Sequence, residues 1–579
     1  MDVQTLTLVL RHGLWRWTDN YLLRKGKGIA MQNKNTKDKL YTGMAISKYV
    51  FAFLMILLAF YRVRDARYLL VSVFELVIIG TLSNIILRKR RIPGYVFNMA
   101  LLWLFNLQMS VLYYGNSYIS YLMVSNIDSL AAMSGKATEY IMRVILISVF
   151  SFLPVVPLKI NKKIEWSLLS AGVAVELAVY ILINSTFSPL FGYCSLVIDK
   201  INIIRQEREI EKYIESREAV AEKMYKEGIE DYYAKDEMLP ENPNIILIFA
   251  EGVSQNIVDD ERNIMPNMAE YQKKSVNFTN YYNHTFATFR GLIGQLYSGF
   301  QLEDYDSNPL ISVQSILSDR GYDTTFINPE PKHPEFIEYL NNFGFDRVLG
   351  SVSDPIRGNA DSIADKDLYK MLFETAQAKS EEEKPFFISM YSFGTHASLE
   401  SIDEKFEDGS NPELNKFYDL DYQFGKFMEK YEKSDFAKDT IIIMTSDHAT
   451  YEDDSFDETF PDHERQVITV DKIPFFIYYL GIEAKEIDTE GRNSLCLAPT
   501  MMDYLDISVP NYFVGTSLFS GEMGSICEKI HSYLTECYVI ENDNIKLPKK
   551  KLYNRYQKIV QDYYITKEII ANETNKQAE

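Results

Sequence analysis

Asn244-Ile-Ile-Leu-Ile-Phe-Ala-Glu251-Gly252 reads as a buried strand that stops on a carboxylate. The pattern returns twice. Phe386-Phe-Ile-Ser-Met-Tyr-Ser-Phe-Gly-Thr395-His396 runs into a histidine, and Thr440-Ile-Ile-Ile-Met-Thr-Ser-Asp447-His448 runs into an Asp-His pair. Continuous apolar runs separated by helical stretches mark central strands of a parallel sheet covered on both faces. Such sheets bind ligands beyond the carboxyl ends of their strands, where Glu251, His396, Asp447 and His448 fall. Carboxylate and imidazole groups delivered to one edge by three strands suit a divalent metal ion. Tyr322-Asp-Thr-Thr-Phe-Ile-Asn328 and Ile473-Pro-Phe-Phe-Ile-Tyr-Tyr479 read as two further strands. An α/β domain with a mostly parallel central sheet is therefore expected over 242–525.

Working outward, the 579-residue chain has a formal net charge of −20, unevenly spread. Residues 1–185 carry +12 and residues 186–579 carry −32. An acidic larger half excludes nucleic acid as the expected partner, because phosphate backbones need basic surface. The four cysteines show no metal-finger spacing, and either a Cys527–Cys537 pair or free buried thiols fit them.

Apolar runs at 46–61, 68–87, 95–114, 140–158 and 166–185 each approach the roughly 20 residues that cross a bilayer. Basic residues cluster in the leader (Arg11 to Lys39), at Arg88-Lys89-Arg90-Arg91 and at Lys159, Lys162 and Lys163. Those segments belong on the cytoplasmic side, outweighing Arg62, Arg64 and Arg67 in the first loop. Five spans then place everything after residue 185 outside the cytoplasm. No cleavable signal peptide is expected, and Met31 is a second candidate start. Glu75 and Glu176, inside spans, are functional candidates or hydrogen-bonded bundle residues. The expected organisation is a basic leader (1–45), a five-helix membrane domain (46–185), a charged helical stalk (186–241), the α/β domain (242–525) and a helical extension with a disordered tail (526–579).

Four features carry a resemblance: the strand ending Ala250-Glu251-Gly252; Met265-Pro266-Asn267 followed by Val276-Asn-Phe-Thr-Asn-Tyr-Tyr; Thr288-Phe-Arg290-Gly291; and Ser446-Asp447-His448. In this order they resemble the sulfatase-like branch of the alkaline phosphatase superfamily. Within it the chain is most similar to membrane-anchored lipoteichoic acid synthases and phosphoglycerol transferases. The resemblance implies an alkaline-phosphatase-type sandwich in which Glu251, Thr288, Asp447 and His448 surround one divalent ion, Mn²⁺ first and Mg²⁺ or Zn²⁺ as alternatives. Thr288 would be the nucleophile, with Thr285 as its competitor. A threonine hydroxyl is weak at neutral pH, and coordination lowers its pKa. His396 and His463 would serve as acid or base.

Sulfatases proper use a Cys/Ser-x-Pro-x-Arg motif that this chain lacks, which argues against arylsulfatase activity. It also lacks the family's Trp-x-Arg element over Asn328–Arg347, so Lys332, His333 or Arg347 would have to bind phosphate there. Arg290 either binds a phosphate oxygen or pairs on a helix surface. His284 and His531 read as ordinary surface or core residues, and Tyr281, Tyr282, Phe286 and Phe289 as packing. The implied activity is transfer of a phosphoglycerol-type group from a membrane phospholipid to a cell-envelope glycan, lipid or polymer, outside the cytoplasmic membrane. A phosphoethanolamine donor, hydrolysis by the same fold, and a non-catalytic scaffold are the alternatives.

Overall fold

A computed structural model describes residues 30–115, 117–119, 124, 137–183, 187–198, 200–201, 218–233, 238–301, 307–350, 362–397, 399–463, 465–533, 536–541 and 543–578. The basic leader up to residue 29 and the stalk segment 202–217 lie outside them. The chain divides into two units, Met1–Tyr118 with Ile141–Cys194, and Ile119–Tyr140 with Ser195–Glu579.

The first unit is helical: α1 (Ala30–Val63), α2 (Ala66–Lys89), α3 (Arg91–Gly115), most of α4 (Ala137–Ser151) and α5 (Lys162–Ile183). Three stretches, Lys39–Val63, Ala66–Lys89 and Arg91–Tyr114, are long and apolar enough to cross a membrane. Five spans were expected. The fourth falls on α4, which stops at Ser151 ahead of Pro154 and Pro157 and so falls short of a bilayer's thickness. The fifth falls on α5, which is not one of these three stretches. Polar ties join the helices: Asn98 Nδ2 donates to Tyr49 Oη (2.7 Å) and Asn106 Nδ2 to Ser151 Oγ (2.9 Å). Glu75 is one such tie. Its carboxylate accepts from Ser188 Oγ (2.8 Å) and from the Leu190 N–H (2.9 Å), a hydrogen-bonded bundle residue.

In the second unit the strands are β1 (Asn244–Ala250), β2 (Val276–Thr279), β3 (Asp323–Ile327), β4 (Arg347–Leu349), β5 (Phe386–Tyr391), β6 (Thr440–Ser446), β7 (Phe475–Tyr478) and β8 (Lys485–Asp488). They form one sheet in the order β4-β3-β5-β1-β6-β7-β2-β8. β7 runs antiparallel to both its neighbours, and the other pairs are parallel. β1 lies between β5 and β6, with Ile246 opposite both Ile388 and Ile442, so the three stretches quoted first are adjacent. Alternation sorts β1 into two cores. Ile245, Leu247 and Phe249 face one, and Ile246, Ile248 and Ala250 face the other. All six are fully buried, each large side chain contributing about 1.5–3 kcal/mol over exposure.

Helices cover both faces: α6 (Pro266–Lys273), α7 (Thr288–Tyr297), α8 (Pro334–Asn341), α9 (Asp365–Ser380), α10 (Pro412–Glu432) and α11 (Leu497–Tyr504). A second, antiparallel sheet, β9 (Ile530–Tyr533), β10 (Glu536–Glu541) and β11 (Asn544–Lys546), precedes α12 (Lys550–Ala578). These strands fall in the stretch expected to be only helical. Their half-polar alternation is short, with Val539 and Ile540 buried at the centre of β10. α12 also continues through 571–578, where disorder was expected.

The end of the expected stalk is folded onto this unit rather than standing free. Lys226 pairs through its backbone with Asn511 (2.9 and 3.0 Å), and Asp503 accepts the Tyr232 N–H (2.9 Å). All four cysteines are free thiols, so the Cys527–Cys537 pair is not formed.

Candidate active site

The turns after β1 and β6 are tied residue by residue. The Glu251 N–H donates to Ser392 Oγ (3.0 Å), the Gly252 N–H to Asp447 Oδ1 (2.8 Å) and the Val253 N–H to Ser446 Oγ (3.0 Å). Gly252 has φ +54°, a conformation glycine adopts at low cost, and it turns the chain so that Glu251 faces β6. Asp447 Oδ1 also accepts the His448 N–H (2.8 Å). His448 Nδ1 lies 2.7 Å from the Ala449 carbonyl, which can only accept, so Nδ1 carries a proton and Nε2 faces the carboxylates. Nε2 is 3.4 Å from Glu251 Oε1 and 3.5 Å from Asp447 Oδ2.

Ligand atoms of Glu251, Asp447 and His448 all lie within 4.8 Å of one another, the one such cluster among the described residues. Asp447 Oδ2 is buried without a hydrogen bond, which a buried oxygen seldom tolerates unless something else satisfies it. Burial and the neighbouring Glu251 charge push the Asp447 carboxyl up. Burial alone would lower the His448 imidazole, but the Asp447 and Glu251 charges override it and raise it to about 9. A cage whose charges balance only around a positive group, with one oxygen spare and an imidazole nitrogen turned inward, fits a divalent cation.

Thr288 opens α7, and its Oγ1 donates to Glu251 Oε2 at 2.9 Å. Thr285, its competitor, has no such contact; its carbonyl accepts from Asn283 Nδ2 (2.7 Å). The seat of α7 explains its glycine. A β-carbon on Gly291 would lie 2.2 Å from the Asp447 carbonyl oxygen. Beside it Gln295 Nε2 donates to the Ser446 carbonyl (2.9 Å). Ala287, just before Thr288, is held at φ +77°, a strained conformation for a residue with a β-carbon. The first turn of α7 presents N–H groups and the positive end of its dipole beside the cluster, favourable to an anion. Phe286 packs its ring 4.5 Å from that of His448, so one of the aromatics read as packing lines the site.

His396 follows Thr395, whose hydroxyl donates to the Glu251 carbonyl. Its ring stacks on Phe393 (4.8 Å), and its Nδ1 lies 3.1 Å from the Ala397 carbonyl. Burial lowers the His396 pKa, partly offset by the Glu251 charge. His463 sits in an ion cluster, its Nε2 3.3 Å from Asp471 Oδ2, 3.8 Å from Glu452 Oε1 and 3.2 Å from Arg465 Nε.

Three candidates are placed elsewhere or otherwise engaged. Arg347 pairs with Asp323 (3.6 Å), at the amino end of β3 and on the opposite edge from Glu251. The parallel register of β3 and β4 carries it there, so it stands apart from the cluster. His333 caps α8, its Nδ1 accepting the Phe336 N–H (3.2 Å). Arg290 is buried, with Nη1 3.4 Å from the Gln301 carbonyl and the guanidinium over Phe289. Sequence reasoning missed Glu330 and Tyr391. The Tyr391 hydroxyl donates to Glu330 Oε2 (2.6 Å), and burial, opposed by that bond and aided by the Glu251 charge, raises the carboxyl to about 7. The available signal was position: Glu330 lies three residues past β3, on the carboxyl edge.

Residues 243–507 match the Sulfatase family model. Among solved structures, the chain resembles an alkaline phosphatase superfamily protein from Vibrio parahaemolyticus (17% identity, TM-score 0.48, 60% of this chain and 90% of that one). It also resembles the lipoteichoic acid synthase LtaP from Listeria monocytogenes (15% identity, TM-score 0.47, 59% and 96%). A third is the integral membrane lipooligosaccharide phosphoethanolamine transferase EptA from Neisseria meningitidis (12% identity, TM-score 0.48, 81% and 96%). The match to the Sulfatase family model thus spans residues 243–507 of a chain that also carries three helices long and apolar enough to cross a membrane.

Proposed function

We propose that the chain is a membrane-anchored, metal-dependent transferase that moves a phosphoglycerol-type phospho-alcohol from a membrane phospholipid to a cell-envelope glycan, lipid or polymer. The observation that carries this reading is the Thr288 hydroxyl on Glu251 at 2.9 Å, beside Asp447 and His448. Glu251, Thr288, Asp447 and His448 would hold one divalent ion, manganese first and magnesium or zinc as alternatives. When bound, that ion lowers the hydroxyl pKa and neutralises charge on the phosphoryl oxygens.

Thr288 Oγ attacks the phosphorus of a phosphodiester, and its proton leaves along the bond to Glu251. The bond from phosphorus to the diacylglycerol oxygen breaks, that oxygen takes up a proton from solvent, and the glycerol stays on phosphorus, leaving a phosphoglycerol diester on Thr288. An acceptor alcohol then attacks the phosphorus, the bond to Thr288 Oγ breaks, and Thr288 Oγ takes back the proton held at Glu251. His396, kept neutral by burial with its Nδ1 proton on Ala397, has Nε2 available to take the proton of the incoming alcohol. His463, in its ion cluster, is the second acid-base candidate. The basic loops of the first 185 residues support an extracytoplasmic placement of this unit, with five spans as the fuller count.

The test is an acceptor assay with the full chain in detergent, phosphatidylglycerol and Mn²⁺. Transfer gives diacylglycerol together with a phosphoglycerol-bearing acceptor. Free glycerol phosphate alone would make the protein a phosphodiesterase, and turnover only with phosphatidylethanolamine would rename the donor.

A further inference from the structure

The Arg465 side chain is 1% exposed and lies outside the groups that would touch metal or substrate, yet its guanidinium reaches both loops that carry the cluster. Nη2 donates to Ser254 Oγ (2.9 Å), three residues after Glu251. Nη1 donates to the carbonyls of Thr450, two residues after His448, and of Ile468 (2.9 Å). Nε lies 3.0 Å from Asp471 Oδ2 and 3.2 Å from Glu452 Oε1.

The loops themselves interlock. The Ser254 N–H donates to Thr450 Oγ1 and the Thr450 N–H to Ser254 Oγ, both at 3.0 Å, while Thr450 Oγ1 donates to the Gly252 carbonyl (2.6 Å). Arg465 closes this latch from outside. Asp471 is in turn held by Asn283, whose Oδ1 accepts the Asp471 N–H (3.0 Å), five residues before Thr288. One planar fork therefore joins the segments bearing Glu251 and His448, and its Asp471 partner reaches the segment leading into Thr288. A lysine, with a point charge on a flexible stem, cannot span these acceptors.

We propose that Arg465 is a positioning residue that sets the separation of Glu251 and His448 and thereby the affinity for the divalent ion. This rests on the metal-centre reading above. Groups that orient metal ligands from behind typically change metal affinity about 10–100-fold when removed.

The test uses the full chain in detergent as wild type, Arg465→Gln, Arg465→Lys and Ser254→Ala. Each is titrated with Mn²⁺ by calorimetry, and melting is recorded in parallel in metal-free buffer. Arg465→Gln is expected to weaken Mn²⁺ binding about 10–100-fold, with Arg465→Lys and Ser254→Ala in between because each keeps part of the latch. Ser254→Ala carries the test if Arg465→Gln does not fold. Wild-type affinity in both Ser254→Ala and Arg465→Lys, whatever their melting temperatures, would reduce Arg465 to a structural ion pair and overturn the inference. A wild type that binds none of Mn²⁺, Mg²⁺ or Zn²⁺ would instead sink the metal-centre reading itself.

Discussion

Two stretches reach the same edge of the sheet and differ in how much they commit. At the ends of β1 and β6, Glu251, Asp447 and His448 are fixed by their own backbone, by Ser392, Ser446 and Thr450, and by Arg465. After β3, the stretch from Asn328 to Leu349 spends its polar groups on structure: His333 caps a helix, Arg347 pairs with Asp323, and Asp346 accepts the Thr324 N–H (3.0 Å). The first stretch gathers the groups of the proposed metal centre, and the second offers Glu330, which accepts from Tyr391 at the end of β5 and feels the Glu251 charge. The chemistry of a site can thus be spelled out by its strand ends while the substrate is left to a stretch whose side chains do other work.

The largest effect that would break this contrast lies at the nucleophile. Thr288→Ala is expected to lower turnover about 10³-fold or more while Mn²⁺ still binds. Near-normal turnover would move the reaction to another group. Next come the cluster's carboxylates. Glu251→Gln and Asp447→Asn should each weaken Mn²⁺ binding by at least about 100-fold, because a neutral amide replaces a charged oxygen donor. Calorimetric affinities at the wild-type level would contradict the ligand assignment.

How much of this was legible follows from the same contrast. β1, β5 and β6 announce themselves because strands buried on both faces are unbroken apolar runs, and the residues that stop β1 and β6 are the cluster. β2, β4 and β8 are three or four residues long, and the periodicity of such short pieces is too weak to read. β9 and β11 were missed for the same reason, and β10, six residues long, is exposed at both ends and breaks strict alternation at Val539-Ile540. Arg347 looked like a phosphate ligand by its place in the chain, and only the register of β4 on β3 shows which edge it occupies. Arg465 carried no signal, since its partners Ser254, Thr450 and Asp471 come together through the fold.

A subtler test concerns the seat of α7. Gly291→Ala would force a methyl into the Asp447 carbonyl, costing about 1–3 kcal/mol and displacing Thr288 from Glu251. Chemical denaturation and turnover should fall together, and loss of stability with full turnover would mean that the seat does not position Thr288.

Smaller still is a pH effect from the support beneath that segment. His531 is buried with Nδ1 3.1 Å from the Asn283 carbonyl, and burial lowers its pKa to about 4. An unfolded histidine protonates near 6.5, so between that pH and about 4 the unfolded chain binds the extra proton and stability falls as the pH drops. The slope from this one group is at most about 1.4 kcal/mol per pH unit. His531→Gln should show a slope shallower by that amount over roughly pH 5–6. Equal slopes would place His531 in an environment no different from solvent. The smallest effect belongs to the other stretch: Arg347→Ala, which removes the exposed partner of a 3.6 Å pair, should change stability by less than about 1 kcal/mol and leave KM unaltered. A raised KM would bring Arg347 back to the substrate.

The central claim is that Thr288 carries the phospho-alcohol between donor and acceptor. Full-length protein incubated with Mn²⁺ and phosphatidylglycerol without acceptor, quenched in acid and digested, is examined by mass spectrometry alongside Thr288→Ala. A Mn²⁺-dependent gain of about 154 Da, a phosphoglycerol group, is expected on the peptide bearing Thr288 in the wild type alone. An adduct on another residue, or diacylglycerol release at full rate from Thr288→Ala, would contradict it.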